Sequence, residues 1–190
     1  MNQFVTLEQI DRAVEAVRAR ASRRPRIGIV LGSGLNSLAD SVQQADFIPF
    51  GDLPDWPRST VHGHTGRLVI GELEGQSVMV MQGRVHFYEG YSISQVTLPT
   101  RVMARMGLEI LIVTNAAGGV NPDFAPGDVM LITDHLNLMG MTGANPLMGP
   151  NIEELGPRFP DMSQAYDLQL MAQARKTASE SGIVLREGVY

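Results

Sequence analysis

The chain has 190 residues, a formal net charge of −5, 44% hydrophobic and 18% charged residues, and no cysteine. That balance belongs to a folded globular protein and excludes disordered, collagen-like and coiled-coil chains. It also excludes disulfides and thiolate chemistry, and a basic surface that neutralises nucleic-acid phosphates. The longest apolar runs, such as Ile110–Val113, fall far short of the ~20 residues that cross a bilayer. No signal-like apolar core follows Met1, so a cytoplasmic α/β protein without a membrane partner is expected.

Thr6 to Arg20 reads as an amphipathic helix. Thr6-x-x-Gln9 is a capping-box pattern, and Leu7, Ile10, Val14 and Val17 recur at helical spacing. Arg23-Arg24-Pro25 breaks it, and Ile27-Gly28-Ile29-Val30-Leu31 is a short run of buried-strand type. Gly32-Ser33-Gly34 follows, with a helix starting at Leu35 to Ala39. Residues 46 to 66 form a long Pro/Gly-rich connection, of the kind that often carries function. Leu68-Val69-Ile70 and Val78-Met79-Val80-Met81 flank Glu74-Gly75-Gln76 as a hairpin. A loop covers Gln82 to Tyr91, and a helix is expected from Ser94 to Met106 with Gly107 as its stop. Leu108 to Thr114 is a strand ending in Asn115-Ala116-Ala117-Gly118-Gly119, and Val129 to Ile132 is another. Residues 137 to 162 are irregular, Ala165 to Ser181 a helix, and Ile183 to Leu185 the start of a last strand. The order of elements is mixed α/β, one sheet covered by helices.

Three strands end in loops suited to an anion or a polyol, and open α/β sheets collect ligands at the carboxyl ends of their strands. Gly32-Ser33-Gly34 offers tight turning, backbone N–H groups and a hydroxyl. On its own it reads as a plain tight turn. Ser37 replaces the third glycine of a dinucleotide fingerprint, and no Gly-Lys-Ser/Thr follows for a P-loop. In Gly83-Arg84-Val85-His86-Phe87-Tyr88-Glu89-Gly90-Tyr91, an extended chain puts Arg84, His86 and Tyr88 on one side. A guanidinium and an imidazole there clamp an anion, with Glu89 placed to orient the imidazole. His62 and His64 have an i, i+2 spacing that suits a metal, but no carboxylate or cysteine cluster accompanies them. They read as polar loop histidines, and no metal is expected. The paired methionines 79/81 and 103/106 read as core filler.

The ordered set Gly28-Ile29-Val30-Leu31-Gly32-Ser33-Gly34-Leu35, Phe50-Gly51-Asp52-Leu53-Pro54, Ser59-Thr60-Val61-His62-Gly63-His64-Thr65-Gly66, residues 83–91, Thr114-Asn115-Ala116-Ala117-Gly118-Gly119, Asp134-His135-Leu136-Asn137, Asn145-Pro146-Leu147, Gly149-Pro150-Asn151 and Arg158-Phe159-Pro160 resembles the trimeric purine nucleoside phosphorylases. The resemblance runs from the first strand to Tyr190. It implies one phosphorylase domain over residues 1–190, incomplete at its C-terminus, with a mixed, mostly parallel central sheet flanked by helices. It also implies phosphorolysis of purine nucleosides, 6-oxopurine ribonucleosides or deoxyribonucleosides, to free base and (deoxy)ribose 1-phosphate. Phosphate is then a co-substrate, and neither cofactor nor metal is called for. By resemblance Ser33, His64, Arg84, His86, Asn115 and the Ala116 N–H hold phosphate, and Tyr88 meets the ribose. Glu89 supports His86, these two forming the catalytic pair. Phe159 reaches a neighbouring subunit's sugar site in a homotrimer. The sister branch, methylthioadenosine phosphorylase, lacks the Phe-Tyr-Glu-Gly-Tyr run and the Asn-Pro-Leu, so the nucleoside branch is favoured. The residues that read the purine are expected beyond Tyr190, and the 190-residue chain alone is expected to be inactive. The rivals are a phosphate- or sugar-binding fragment without turnover, and an oxidoreductase resting on Gly32-x-Gly34 alone.

Overall fold

The computed structural model describes residues 4–59 and 66–190. These fall into two compact units, Met1–Ala116 with Pro146–Gly156, and Ala117–Asn145 with Pro157–Tyr190.

In the first unit, α1 (Leu7–Arg18) opens on a capping box: Thr6 Oγ1 accepts from the Gln9 N–H, while Gln9 Oε1 accepts from the Thr6 N–H. Its apolar stripe Ile10, Ala13, Val14 and Val17 is buried. The chain then forms β1 (Ile27–Val30), α2 (Asn36–Asp40), β2 (Gln43–Pro49), β3 (Arg67–Leu73) and β4 (Gln76–Gln82). Next come α3 (Ile93–Val96), α4 (Leu98–Met106) and β5 (Ile110–Val113). The strands build one sheet in the order β2-β3-β4-β1-β5, in which β1 runs parallel to both β4 and β5 while β3 is antiparallel to β2 and β4.

Alternation along the strands divides the core into two layers. Leu68, Ile70, Met79, Met81 and Val30 pack with α1, α4, Phe50 and Trp56 on one face. Val69, Val78, Val80, Ile29 and Leu31 pack with Ala39 and Val42 on the other. Met79 and Met103 are indeed core filler, and Met106 is partly buried against the same cluster.

The structure departs from the sequence reading at three places. β2 runs into the stretch from residue 46 onward that the sequence reads as an irregular connection. It is an edge strand whose Gln-Gln-Ala-Asp-Phe-Ile-Pro pattern leaves most side chains partly or fully exposed, so it carries no apolar run to read. The helix expected at 94–106 is two pieces joined at Thr97. Pro99 has no N–H for the Gln95 carbonyl and disfavours helical geometry at Leu98, so α4 restarts there with the proline in its first turn. β5, the most apolar strand, is the edge of this sheet, and Leu111, Ile112 and Val113 are exposed in it.

The second unit holds β6 (Val129–Asp134), α5 (Leu138–Met141), α6 (Leu168–Glu180) and β7 (Leu185–Val189). β6 and β7 pair in parallel, and α6 packs on both. Asp167 caps α6, its carboxylate accepting from the Gln169 and Leu170 N–H groups. No helix among the described residues is long and apolar enough to cross a membrane.

Candidate functional site

β4, β1 and β5 are neighbours, and β1 runs in the same direction as the other two, so the loops that follow them emerge at one edge of the first unit's sheet. The β1 and β5 loops touch through their backbones. The Gly32 N–H donates to Thr114 Oγ1 (2.8 Å), and that hydroxyl donates to the Val30 carbonyl (2.9 Å). A Cβ on Gly32 would stand 2.7 Å from Asn115 Cα and 2.8 Å from the Thr114 carbonyl oxygen. Only glycine permits this approach. Gly34, at φ 86°, then turns the chain toward α2.

Arg84, on the loop after β4, ties the two strand ends together. Its Nη1 donates to the Thr114 carbonyl (2.7 Å) and, at longer range, to that of Leu31 (3.4 Å). Its Nε lies 3.4 Å from His86 Nε2, the acceptor. The other ring nitrogen, Nδ1, lies 3.1 Å from Glu89 Oε1, which also accepts from the His86 N–H at 2.7 Å. The Glu89 side chain is 2% exposed, and Ser59 Oγ donates to its second oxygen (3.1 Å). A buried carboxylate is stable only when donors saturate it in this way.

Residues 87–89 form a single 3-10 turn rather than the extended chain expected from the spacing. Tyr88 still meets His86, by stacking: the rings lie 4.8 Å apart and 13° from parallel. The tyrosine is 74% exposed. Tyr91 secures the neighbouring loop, its hydroxyl accepting from the Arg58 N–H and donating to the Arg58 carbonyl.

The structure therefore brings together the loops carrying Ser33, Arg84, His86, Tyr88, Glu89, Asn115 and Ala116. The Ser33 hydroxyl and the Ala116 N–H make no hydrogen bond among the described residues. Phe159 belongs to the second unit, 87% exposed in the loop before α6. His62 and His64 lie outside the described residues. Among those described, no group of three His, Cys, Asp or Glu side chains is placed to hold a metal.

Sequence reasoning missed two residues of this constellation. Thr114 joins the β1 and β5 loops, and its signal was a polar residue closing an otherwise apolar strand. Ser59 completes the shell of Glu89, 30 residues away in sequence, and no local pattern marks it.

This strand-end arrangement sets a guanidinium and an oriented imidazole among small residues in an α/β protein, a donor set whose chemistry suits an anion. Residues 26–190 match the model of the phosphorylase superfamily, and the chain belongs to that superfamily. It is 55% identical over 181 residues to purine nucleoside phosphorylase 1 of Geobacillus stearothermophilus, a match covering 95% of this chain and 65% of that protein. It is 48% identical over 191 residues to the purine nucleoside phosphorylase of Rattus norvegicus, covering 100% of this chain and 66% of that one. Its structure is similar to that of Schistosoma mansoni purine nucleoside phosphorylase in complex with inosine, at a TM-score of 0.92 and 43% identity. That match covers 98% of this chain and 66% of the other. The chain thus spans about two thirds of the length of the relatives it matches.

Proposed function

We propose that the chain carries the phosphate-binding part of an enzyme that phosphorolyses purine nucleosides, 6-oxopurine nucleosides first among them. The observation that supports this most is the Arg84–His86–Glu89 relay at the converging ends of β1, β4 and β5.

A phosphate dianion there would meet the Arg84 guanidinium, the His86 ring, the Ser33 hydroxyl, Asn115 and the Ala116 N–H, with His64 as a further ligand. Such charge-assisted contacts are the strong ones, and a guanidinium matches a phosphate edge. Glu89 holds the imidazole in one orientation, so little is reorganised when the anion arrives. In this reading Tyr88, stacked on His86, packs its ring on the ribose beside that phosphate and hydrogen-bonds a ribose hydroxyl through its phenol. Cleavage of the glycosidic bond builds oxocarbenium character at C1′. The phosphate stabilises that cation and then forms the new C1′–O bond, while the purine leaves with the electron pair of the broken bond and takes up a proton. Positioning and electrostatics carry this chemistry, and phosphate enters as co-substrate with no cofactor.

The same reading takes the two compact units as parts of one phosphorylase domain whose C-terminal part lies beyond Tyr190. It takes the working protein as a cytoplasmic homotrimer in which Phe159 serves a neighbouring subunit's sugar site. The exposed aromatic ring of Phe159 supports that role.

The test is inosine phosphorolysis by the product of the complete coding sequence, beside its Arg84→Ala variant. Losing a charge-assisted contact costs about 1.5–3 kcal/mol, so KM for phosphate should rise about 10- to 150-fold. Phosphate binding without turnover would leave a binding module, and preference for methylthioadenosine would move the protein to the sister branch. Sedimentation of an active monomer would reject the trimer.

A further inference from the structure

The sequence concentrates positive charge far from that site. Arg18, Arg20, Arg23, Arg24 and Arg26 supply five of the chain's 15 basic residues, and no acidic residue occurs between Glu15 and Asp40. In a chain of net charge −5 such a cluster repels itself unless something compensates it. Part of the compensation is internal. Arg26 makes a two-pronged ion pair with Glu109 (3.0 and 2.6 Å), and Arg20 donates to the Ala16 carbonyl (2.9 Å). Arg23 bonds Gln44 and lies 3.5 Å from Glu72. Asp46 accepts from the Ser22 N–H and hydroxyl (2.6 and 2.7 Å). Arg18 and Arg24 have neither an ion pair nor a side-chain hydrogen bond among the described residues. Arg18 acts through space on Asp11, a carboxylate already held by Arg105 at 2.7 Å.

These residues border a cavity of about 470 Å3, lined by Arg18, Ala21, Ser22, Arg23, Arg24, Pro25 and Met106. It lies where α1 and α4 end and just before β1 begins. Basic side chains suit a helix C-terminus, and that alone accounts for charge near Arg18 and Arg20. It accounts for neither the concavity nor the apolar Ala21, Pro25 and Met106 within it. A concave volume of roughly 300–1,000 Å3 with an apolar lining and a few convergent polar groups is the form of a small-molecule site.

We propose that this cavity binds a small molecule carrying a polyphosphate group, independently of the strand-end site. Arg18, Arg23 and Arg24 are spread around one cavity, which suits successive phosphates in a chain better than a single anion. The Arg18 and Arg24 forks are uncommitted, and guanidinium forks pair with phosphate edges two bonds at a time. Met106, a polarizable thioether half-exposed at the cavity, offers a surface on which a nucleobase attached to that chain can rest. Tripolyphosphate and a nucleoside triphosphate share this chemistry. β1 runs away from the cavity toward Gly32, so its four residues, at about 3.3 Å each, separate the two sites.

The experiment is calorimetric titration of tripolyphosphate and of ATP into the parent, Arg18→Ala/Arg24→Ala and Arg84→Ala. Both substituted arginines are exposed and unpartnered, so the double variant should keep the parent's Tm. Its affinity should fall by about tenfold or more, while Arg84→Ala should bind as the parent does. Binding should weaken with added salt, since the contacts are exposed. Tighter binding of ATP makes the ligand a nucleotide resting on Met106, whereas equal affinities make it the bare polyphosphate. Arg24→Lys, which keeps the charge and loses the fork, should fall between parent and double variant. No binding to the parent, equal affinity in the double variant, or loss on Arg84→Ala alone would each overturn the proposal.

Discussion

Gly32→Ala should cost this protein more than any other single methyl group added at the strand ends. The new Cβ would sit 2.7 Å from Asn115 Cα and 2.8 Å from the Thr114 carbonyl oxygen, both of them backbone atoms that cannot rotate aside. Overpacking of this kind costs about 1–3 kcal/mol. Separating the loops also breaks the Gly32 N–H to Thr114 Oγ1 bond, worth a further 0.5–1.5 kcal/mol, roughly. The sum is about 1.5–4.5 kcal/mol, which at a urea m-value of about 2 kcal/mol/M lowers the midpoint by about 0.75–2.25 M. Phosphate affinity should fall as well, because Arg84 spans the Leu31 and Thr114 carbonyls across the gap that opens. Gly28→Ala is the control. Its Cβ would meet only side-chain atoms, Leu108 Cδ2 at 2.6 Å, Met103 Sδ at 3.2 Å and Leu111 Cδ1 at 3.3 Å. These can move, so the loss should be smaller and phosphate binding unchanged. Urea unfolding and phosphate titration of both variants decide the matter. A Gly32→Ala protein as stable as the parent would refute the reasoning.

Glu89→Gln should destabilise by about 1–3 kcal/mol and weaken phosphate binding, because an amide cannot accept from the His86 N–H, its ring and Ser59 together; a phosphate KM equal to the parent's would count against the relay. Tyr88→Phe should change stability by less than about 0.5 kcal/mol, since that side chain is largely exposed. It should raise KM for nucleoside and leave phosphate affinity unmoved, as steady-state kinetics with each substrate varied would show. Asp46 is held below the ordinary carboxylate range by the Ser22 N–H, then by the Ser22 hydroxyl. Its folded pKa lies under its unfolded value of about 3.9, so its contribution is complete above that pH and is lost as pH falls through the folded pKa. The stability gap between parent and Asp46→Asn should therefore narrow below about pH 4 in urea melts; a constant gap would exclude the carboxylate's role.

Much of the first unit was legible because its central strands are apolar runs, buried on both faces. Ile27–Val30 and Val78–Met81 announce themselves, and so does the capping box before α1. β2 was not legible, since an exposed edge strand has no apolar pattern to display. Pro99 was a visible signal whose effect, dividing the helix, the wider periodicity masked. At the site, the residue types of the 83–91 segment were informative but their geometry was not. Spacing put Tyr88 beside His86 through an extended chain, whereas a 3-10 turn and ring stacking bring them together. Thr114 and Ser59 act across 82 and 30 residues, and such long-range partners leave no periodic trace.

The strand order also sets a timetable for the chain. β1 lies between β4 and β5, whose first residues come about 50 and 80 positions later, so at about 5–20 residues per second β5 leaves the ribosome seconds after β1. The β3–β4 hairpin closes on its own local turn, but β1 must wait for it, and Thr114 and Arg84 can bridge nothing until β5 has docked. Pairings of such sequence separation are the slow ones in folding. The strand-end cluster around Arg84 is accordingly among the last features of its unit to form, and any delay in docking β5 falls on that edge of the sheet before it falls on the hairpin.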